Sequence, residues 1–501
     1  MGVASKRVAS GKALDRLTPR QLEITRALAG VFGAADEELY LVGGTVRDAL
    51  LERAVSADLD FATSAAPPRT RELLESAAAS SVYLVGERFG TIGAIFGEDP
   101  LRLPVEVTTF RRETYPDEHR FPDVVFDATL IDDLARRDFT MNAMAIDTRS
   151  GDTIDPWNGE ADIAQSLLRA VGDPNERFAE DPLRLLRAAR FVSQLGFRLD
   201  RRTEQAMTDQ APSLARISRE RILAELTLLL LGAYVYHGLD ALRRTKLLHV
   251  AIPEIEPLAA EAEANLSPRL GREKDLWEHT IRVVSQAPAR APVRWAALLH
   301  DAGKPLTRSV GLDGEVHFFG HERVGADLAD RALTRLNADR ALRSSVRTLV
   351  ALHGRPAAYD PTWTDSAVRR LALDTGEVWD DLLDLAAADV TSGREYKRMA
   401  ASRRVTGLRT RFFHLQQQME LARLESPLDG NDLMRIFDRP PGPWIKHVKN
   451  HLRELVIEGV LSPDDRDGAS RIAHTLLGQQ ESSAGSAASA ADSGAVATRP
   501  Q

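Results

Sequence analysis

The residues best suited to do chemistry are Asp58 and Asp60, which stand two apart and shortly follow Gly43-Gly44. On a β-strand, positions i and i+2 project from one face, so the two carboxylates lie side by side. They repel unless a divalent cation sits between them, and oxygen donors of this kind suit Mg²⁺ in a two-metal phosphoryl-transfer site. Taken alone, Asp-x-Asp describes a solvated strand edge equally well. The run Leu41-Val42-Gly43-Gly44-Thr45-Val46-Arg47-Asp48 favours the metal reading. Neither glycine carries a Cβ, so the backbone can close on a ligand there, and Arg47 and Asp48 open a short helix. Glu106, on a later β-branched run, is either a third carboxylate of this group or a half-exposed strand residue.

Arg136-Arg137-Asp138 precedes Phe139-Thr140-Met141-Asn142 and reads as the start of a helix; two arginines before an acid can hold a triphosphate and a ribose hydroxyl. In Glu180-Asp181-Pro182-Leu183-Arg184, proline stands where a first helical turn tolerates it and Asp181 is an N-cap candidate. Arg184, Arg187 and Arg190 recur every three residues along the same helix. Without further context that spacing describes a surface arginine row. Farther on come His279, His300-Asp301, His321, His353 and Asp389. Imidazole with carboxylate suits a one- or two-metal hydrolytic centre holding Mn²⁺, Ni²⁺, Co²⁺, Fe²⁺ or Mg²⁺, with zinc also compatible.

These groups need elements to hold them. Leu22 to Phe32 has helical spacing, and short strands come next at Leu41-Val42, Asp58 to Ala62, Val82 to Val85, Ile92 to Phe96 and Val105 to Thr109. Arg69 to Ala79 reads as a helix behind Pro67-Pro68. Arg111 to Pro122 is charged and unpatterned and reads as a mobile loop. After the turn at Asp155 to Gly159 the pattern is helical throughout. The expected divisions are a flexible tail over 1–18, a strand-containing domain over 19–150, helical blocks over 151–265, 266–395 and 396–478, and a Ser/Ala/Gly tail over 479–501.

A chain of 501 residues is too long for one core. Its formal net charge of -8 argues against indiscriminate nucleic-acid binding, yet basic runs persist at Arg394 to Arg411 and Lys446 to Arg453, which suit a phosphate track. Absence of cysteine excludes disulfides and thiolate metal sites and fits a reducing cytosol. No apolar run reaches membrane-span length.

Taken together, Gly43 to Asp48, Asp58-Leu59-Asp60, Arg136 to Asp138, Glu180 to Arg184 and His300-Asp301 resemble the class II nucleotidyltransferases. These are the bacterial CCA-adding enzymes and related poly(A) polymerases, here with an HD phosphohydrolase domain fused behind. The resemblance covers about residues 20 to 470. It implies an α+β fold: a small polymerase β-like head with a mixed sheet, then an all-α neck, HD domain and C-terminal helical region. It implies that Asp58 and Asp60 hold two Mg²⁺ ions, while Gly43, Gly44 and Arg47 cradle the triphosphate. Arg136, Arg137 and Asp138, with Asn142 after them, match the part that meets ribose and phosphates.

The same resemblance implies that Asp181 and Arg184 pair with the incoming base in place of a template, with Arg187 and Arg190 in support. It places a divalent metal (Mg²⁺, Mn²⁺, Ni²⁺, Co²⁺ or Fe²⁺) at His279, His300, Asp301 and Asp389, with His321 and His353 serving a second metal or the phosphate. The implied activity is template-independent CCA addition to tRNA from CTP and ATP in the cytoplasm. The implied HD activity is a phosphatase or 2′,3′-cyclic phosphodiesterase. The partners are the tRNA 3′ end and acceptor arm, with no membrane and no obligatory protein partner. Poly(A) addition, CC- or A-only addition, and a nucleotide phosphohydrolase with a sensory head are the alternatives.

Overall fold

A Thr18–Gln21 capping box and a proline in the first turn open helix α1 (Pro19–Ala34), whose buried Ile24, Leu28 and Phe32 recur at helical spacing. This is a computed structural model; it describes residues 7–8 and 14–477 apart from 54–57, 87–89, 101, 115–122, 265–274, 313–314, 392–393 and 418–424. The chain divides into two compact units, residues 1–346 and 347–501, so a division falls inside the helical block expected over 266–395.

The first unit begins with a mixed sheet. Its strands in chain order are β1 (Arg7–Val8), β2 (Leu39–Val42), β3 (Leu59–Thr63), β4 (Ser81–Gly86), β5 (Thr91–Phe96) and β6 (Leu103–Thr109). A separate hairpin of β7 (Arg112–Thr114) and β8 (Asp123–Val125) precedes β9 (Ala145–Asp147) and β10 (Thr153–Ile154). The eight strands lie in the order β1-β10-β9-β2-β3-β6-β5-β4. Every neighbouring pair is antiparallel except β3 with β6, whose parallel register sets Asp60 opposite Glu106. The sheet thus reaches beyond 19–150 on both sides, taking Arg7–Val8 from the expected tail and Thr153–Ile154 from the expected neck.

Alternation along β6 sends Leu103, Val105 and Val107 inward and leaves Glu106 partly exposed. On one face Leu59, Phe61, Val105 and Val107 pack on α1 and on Leu73 and Leu74 of a helix at Pro67–Ser76. Each such side chain contributes roughly 1.5–3 kcal/mol on burial. On the other face Tyr40, Val42 and Ala62 meet Leu130 and Leu134 of a helix at Leu130–Ala135. Asp60 shares Ala62's face by the two-residue period. The Leu130–Ala135 helix therefore delivers Arg136 to Asp138, at its C-terminal end, to the carboxylate side of the sheet.

That junction corrects one expectation: Arg136 to Met144 ends a helix rather than starting one. Arg136 is the C-cap of Leu130–Ala135. Asp138 turns its carboxylate back to accept the N–H of Phe139 at 2.8 Å, a local bond that competes with helix continuation. A 3₁₀ turn at Thr140–Asn142 then leads into β9. Three smaller differences have similar local causes. β3 begins at Leu59, leaving Asp58 just outside it. The expected loop at Arg111 to Pro122 starts as β7, paired with β8 beyond it, and its residues 115–122 lie outside the described residues. The helical region carries two short ladders, Leu167–Leu168 with Arg198–Leu199 and Ser309–Val310 with Val316–His317.

Helices at Pro174–Glu180, Leu183–Leu195, Arg201–Gln210, Arg219–Leu230 and Val235–Arg244 form the next layer. Leu276–Gln286, Ala291–Leu299, Lys304–Thr307 and His321–Arg335 come after them. In the second unit, helices at Gly430–Phe437, Pro443–Ile457 and 466–477 share a core of Leu433, Val448, Leu452, Val456 and Ala473. Trp379 packs on Phe412 of the long helix Glu395–Gln417, with ring centroids 4.2 Å apart. Residues 478–501, which hold the expected Ser/Ala/Gly tail, lie outside the described residues. Among the described residues no helix is long and apolar enough to cross a membrane.

Candidate functional site

Gly43 adopts φ +72 with ψ -138, a conformation open to glycine alone, and acts as N-cap of a short helix at Gly44–Leu50. A Cβ at this position would lie 3.4 Å from both Arg137 Nη1 and Asp60 Oδ2. That distance is ordinary contact, so it is the positive φ rather than lack of space that calls for glycine at the corner where the turn, Arg137 and Asp60 meet. A cleft of about 520 Å³ opens there. It is lined by Gly43, Gly44, Arg47, Asp60, Arg136, Arg137, Asp138, Asn142, Asp181, Arg184, Arg187 and Arg190, and also by Leu183, Phe191, Gln194 and Arg221. The sequence-selected residues of the head and of the Leu183–Leu195 helix are thus brought to one cavity. Asp58 and Glu106 adjoin it: the Asp58 carbonyl accepts from Thr45 Oγ1 at 3.3 Å, and Glu106 sits beside Asp60 in the sheet.

The acids of this corner are crowded. Burial raises the Asp60 carboxyl above its usual value, Arg137 opposes that, and Asp58 adds to it. Burial also raises Glu106, and both Asp60 and Asp58 push it further. Carboxylates that resist joint ionisation are the donor set a divalent cation relieves. The chemistry of these residues fits Mg²⁺.

Each arginine of the cleft has an acid assigned to it. Arg47 donates to both oxygens of Asp48 at 2.9 Å and, through Nη1, to Asn142 Oδ1 at 3.0 Å. Asn142 Nδ2 donates in turn to Asp138 Oδ1 at 3.0 Å. Asp138 Oδ2 receives Arg187 Nε at 2.8 Å and Nη2 at 2.6 Å. Burial alone would raise the Asp138 carboxyl; Arg187 and Asn142 instead hold it at about 2. Arg190 lies 3.2 Å from Glu225, whose carboxyl burial raises. Arg47, Arg187 and Arg190 all stand over the Phe191 ring, 4.5–5.5 Å from its centroid.

The neck pair has a resting arrangement that its spacing does not reveal. Asp181 is the C-cap of Pro174–Glu180; its Oδ1 accepts the Leu183 N–H at 3.1 Å and its Oδ2 accepts from Arg221 at 3.0 Å. Arg184, buried, donates to Glu180 at 2.6 Å, to the Arg177 carbonyl at 3.1 Å and to the Arg136 carbonyl at 2.7 Å. Both line the cleft, each held by another partner.

A second group lies within the first unit. His279 Nε2 and His300 Nε2 are 3.3 Å apart, and Asp301 Oδ2 is 3.4 and 3.3 Å from them. His321 Nε2 is 3.7 Å from Asp301 Oδ1. The His300 Nδ1–H donates to the Ala297 carbonyl at 2.8 Å and that of His321 to the Phe318 carbonyl at 2.8 Å. Each ring is thereby locked with its Nε2 lone pair facing Asp301. Electron-pair donors converging on a carboxylate fit a divalent cation. Lys304 Nζ reaches Asp301 Oδ2 at 2.7 Å. Burial raises the Asp301 carboxyl, and the Lys304 ammonium opposes that. A Cβ at Gly303 would sit 2.2 Å from the His321 carbonyl oxygen, so glycine permits this close approach. His353 and Asp389 belong to the second unit: buried His353 donates from Nδ1 to the Val350 carbonyl at 2.7 Å, and Asp389 is the C-cap of Trp379–Ala388.

Sequence reasoning missed Asp133, Phe191, Arg221 and Glu225, and quoted Glu180 in its motif without giving it a role. Asp133 stands three and four residues before Arg136 and Arg137, a helical pairing distance, and Glu225 is an isolated acid among Ile222, Leu226 and Leu229. Those spacings carried a usable signal.

Three family models match the chain: "Poly A polymerase head domain" over residues 39–169, "Probable RNA and SrmB- binding site of polymerase A" over 196–258, and "HD domain" over 276–393. A CCA-adding enzyme from a Geobacillus species is 32% identical over 426 residues, covering 84% of this chain and 89% of that protein. The CCA-adding enzyme of Enterococcus faecalis is 30% identical over 425 residues, covering 85% and 89%. The crystal structure of the Bacillus stearothermophilus CCA-adding enzyme in complex with CTP superposes with a TM-score of 0.66 at 26% identity, covering 93% of this chain and 100% of that one. With this likeness running through head, neck and beyond, the chain belongs to the CCA-adding enzymes and is a nucleotidyltransferase.

Proposed function

We propose that this protein completes tRNA 3′ ends in the cytoplasm by adding C, C and A from CTP and ATP without a nucleic-acid template. The observation that carries the reading is the shared cleft: the Asp60 corner and the Gly43 turn open on the same cavity as Asp181 and Arg184. Gly43 and Gly44 offer backbone N–H groups to the triphosphate, and Arg47, Arg136 and Arg137 bring positive charge to it. Asp58 and Asp60, with Glu106 beside them, would hold two Mg²⁺ ions, whose chemistry would be activation of the terminal hydroxyl and neutralisation of the leaving pyrophosphate.

Base choice falls to the neck. A carboxylate at Asp181 accepts from the exocyclic amine of cytosine or adenine, and the Arg184 guanidinium donates to the adjacent ring nitrogen. Uracil and guanine present a carbonyl and an N–H at those positions, so both contacts mismatch. Such bidentate reading is worth about 1–3 kcal/mol. In the resting arrangement Arg221 and Glu180 occupy these two groups. Binding of the correct base exchanges one set of partners for another, which keeps the polar groups satisfied in both states.

The HD segment acts as a metal-dependent phosphatase or 2′,3′-cyclic phosphodiesterase on damaged 3′ ends. Within the first unit, His279, His300 and Asp301, with His321 beside them, would hold Mg²⁺, Mn²⁺, Ni²⁺, Co²⁺ or Fe²⁺. The HD match over 276–393 supports that assignment. Basic residues of Glu395–Gln417 and Lys446 to Arg453 track the tRNA backbone.

The test is extension of tRNA ending at its discriminator base, with each NTP singly and with CTP plus ATP. Growth by C, C and A followed by a stop is expected. Long A tails on generic RNA would replace this reading with poly(A) addition.

A further inference from the structure

Asp133 is fully buried in the helix Leu130–Ala135, on a segment whose Leu130 and Leu134 pack into the sheet. A carboxylate at such a site is tolerated only where cations and donors compensate its charge. Its Oδ1 accepts from Arg136 Nε at 3.0 Å and Nη2 at 2.6 Å, and its Oδ2 accepts from Arg137 Nη2 at 3.1 Å. One buried anion thus holds two consecutive arginines at the point where the helix ends and the chain enters the cleft. Arg136 is fixed at its other end too, its carbonyl accepting from Arg184. Arg137 stands at the Gly43 turn, near Asp60.

We propose that Asp133 is a positioning residue for nucleotide binding: it spreads the Arg136 and Arg137 guanidiniums across the cleft and keeps Arg137 from collapsing onto Asp60. The inference rests on the nucleotidyl-transfer reading of the cleft. The two arginines sit at i+3 and i+4 from Asp133, so a single carboxylate on the helix's inner face reaches both. Charge-assisted pairs of this kind set direction as well as energy. A guanidinium without that anchor has Asp60 as its neighbouring anion, and the cation that should meet a triphosphate would instead cancel a carboxylate of the corner.

The experiment is calorimetric binding of CTP to the full chain, without added metal, alongside extension assays. D133N is expected to weaken CTP about tenfold or more and to raise KM for CTP similarly, with kcat changed much less. In an R136Q/R137Q background the same substitution should change CTP affinity less than about twofold, because there is nothing left to position. An equal loss in both backgrounds would mean that Asp133 acts through general folding and would overturn the proposal; so would native CTP affinity in folded D133N. Should D133N not fold, D133E keeps the charge one methylene farther out. A CTP affinity that falls in D133E but not when D133E is placed in R136Q/R137Q supports the clamp, and an equal fall in both backgrounds removes it. Wild-type protein that binds CTP but extends no RNA would overturn the transfer reading while leaving the Asp133 comparison intact. No CTP binding by the wild type would overturn both.

Discussion

In the cleft, positive charge is supplied by arginines that arrive already paired: Arg136 and Arg137 with Asp133, Arg184 with Glu180, Arg187 with Asp138, Arg190 with Glu225. In the histidine cluster the donors face each other with like polarity, and backbone carbonyls fix the ring nitrogens that point away. The first arrangement pairs its cations with acids of the fold. The second gathers electron-pair donors of the kind a divalent cation accepts. An arginine network therefore binds a substrate that comes and goes, whereas locked imidazoles suit a resident metal. Lys304, paired with Asp301, brings the arginine strategy into the histidine cluster.

The sharpest way to break this contrast is to remove one carboxylate from each region. Asp60→Ala should reduce nucleotide addition by on the order of a thousandfold or more, since it deletes the donor that faces the cleft. Phosphate-ester hydrolysis should survive. Asp301→Ala should do the reverse. Parallel assays of tRNA extension and of 2′,3′-cyclic nucleotide hydrolysis decide it, and loss of both activities in either variant would show that the regions are not independent. Removing divalent metal with a chelator should silence both, and readdition of Mg²⁺ alone should restore extension.

The exchange of partners at Arg184 is next in size. Arg184→Ala should narrow the preference for CTP and ATP over UTP and GTP by about 5- to 150-fold, the 1–3 kcal/mol that a bidentate base pairing supplies. Single-turnover incorporation with each NTP measures it. Unchanged selectivity would refute the templating role and leave Arg184 as a strut between Glu180 and the Arg136 carbonyl.

Asp138 tests the charge-balanced side through stability. Its folded carboxyl is held at about 2, below the ordinary 3.8, so folding favours the ionised form. The contribution, about 2 kcal/mol, is full above the unfolded value and fades as pH falls through about 2. Asp138→Asn should cost about that amount at pH 7 in urea denaturation, with the gap from wild type narrowing below pH 4. A gap that persists at low pH would assign the loss to packing.

How far the sequence disclosed all this differs between the two regions. The strands around Asp60 were legible because β-branched runs alternate between glycines and prolines, and the parallel β3–β6 register then brought Glu106 to Asp60. Periodicity cannot report which strands pair, so beforehand Glu106 beside the aspartates stood only as one of two readings. The residues Arg136 to Asp138 were legible as chemistry and misread as structure. The Asp138 carboxylate bond to Phe139 N–H ends the helix by a contact that hydrophobic spacing does not encode. Asp181 and Arg184 were visible as a spaced pair, while their resting partners Arg221 and Glu180 come from the packing of Arg219–Leu230 and Pro174–Glu180 around the Leu183–Leu195 helix. In the histidine cluster residue types were informative from the start, but Gly303 gained meaning only when its missing Cβ was seen to admit the His321 carbonyl.

The smallest expected effect lies in the second unit, where two arginines follow neither strategy. Arg403 and Arg404 are exposed on Glu395–Gln417, whereas Arg409 and Arg411 of the same helix pair with Asp384 and Asp365. Exposed arginines gain little from the fold and are available to phosphates. Replacing Arg403 and Arg404 by Gln should weaken tRNA binding only a few-fold at moderate salt. It should also lower the slope of log K against log salt by about 0.7–0.9 for each phosphate no longer neutralised. CTP affinity should stay at the wild-type value, because the nucleotide's arginines are those with buried acids. A fall in CTP affinity instead would erase the distinction between arginines held by partners and arginines left to the solvent.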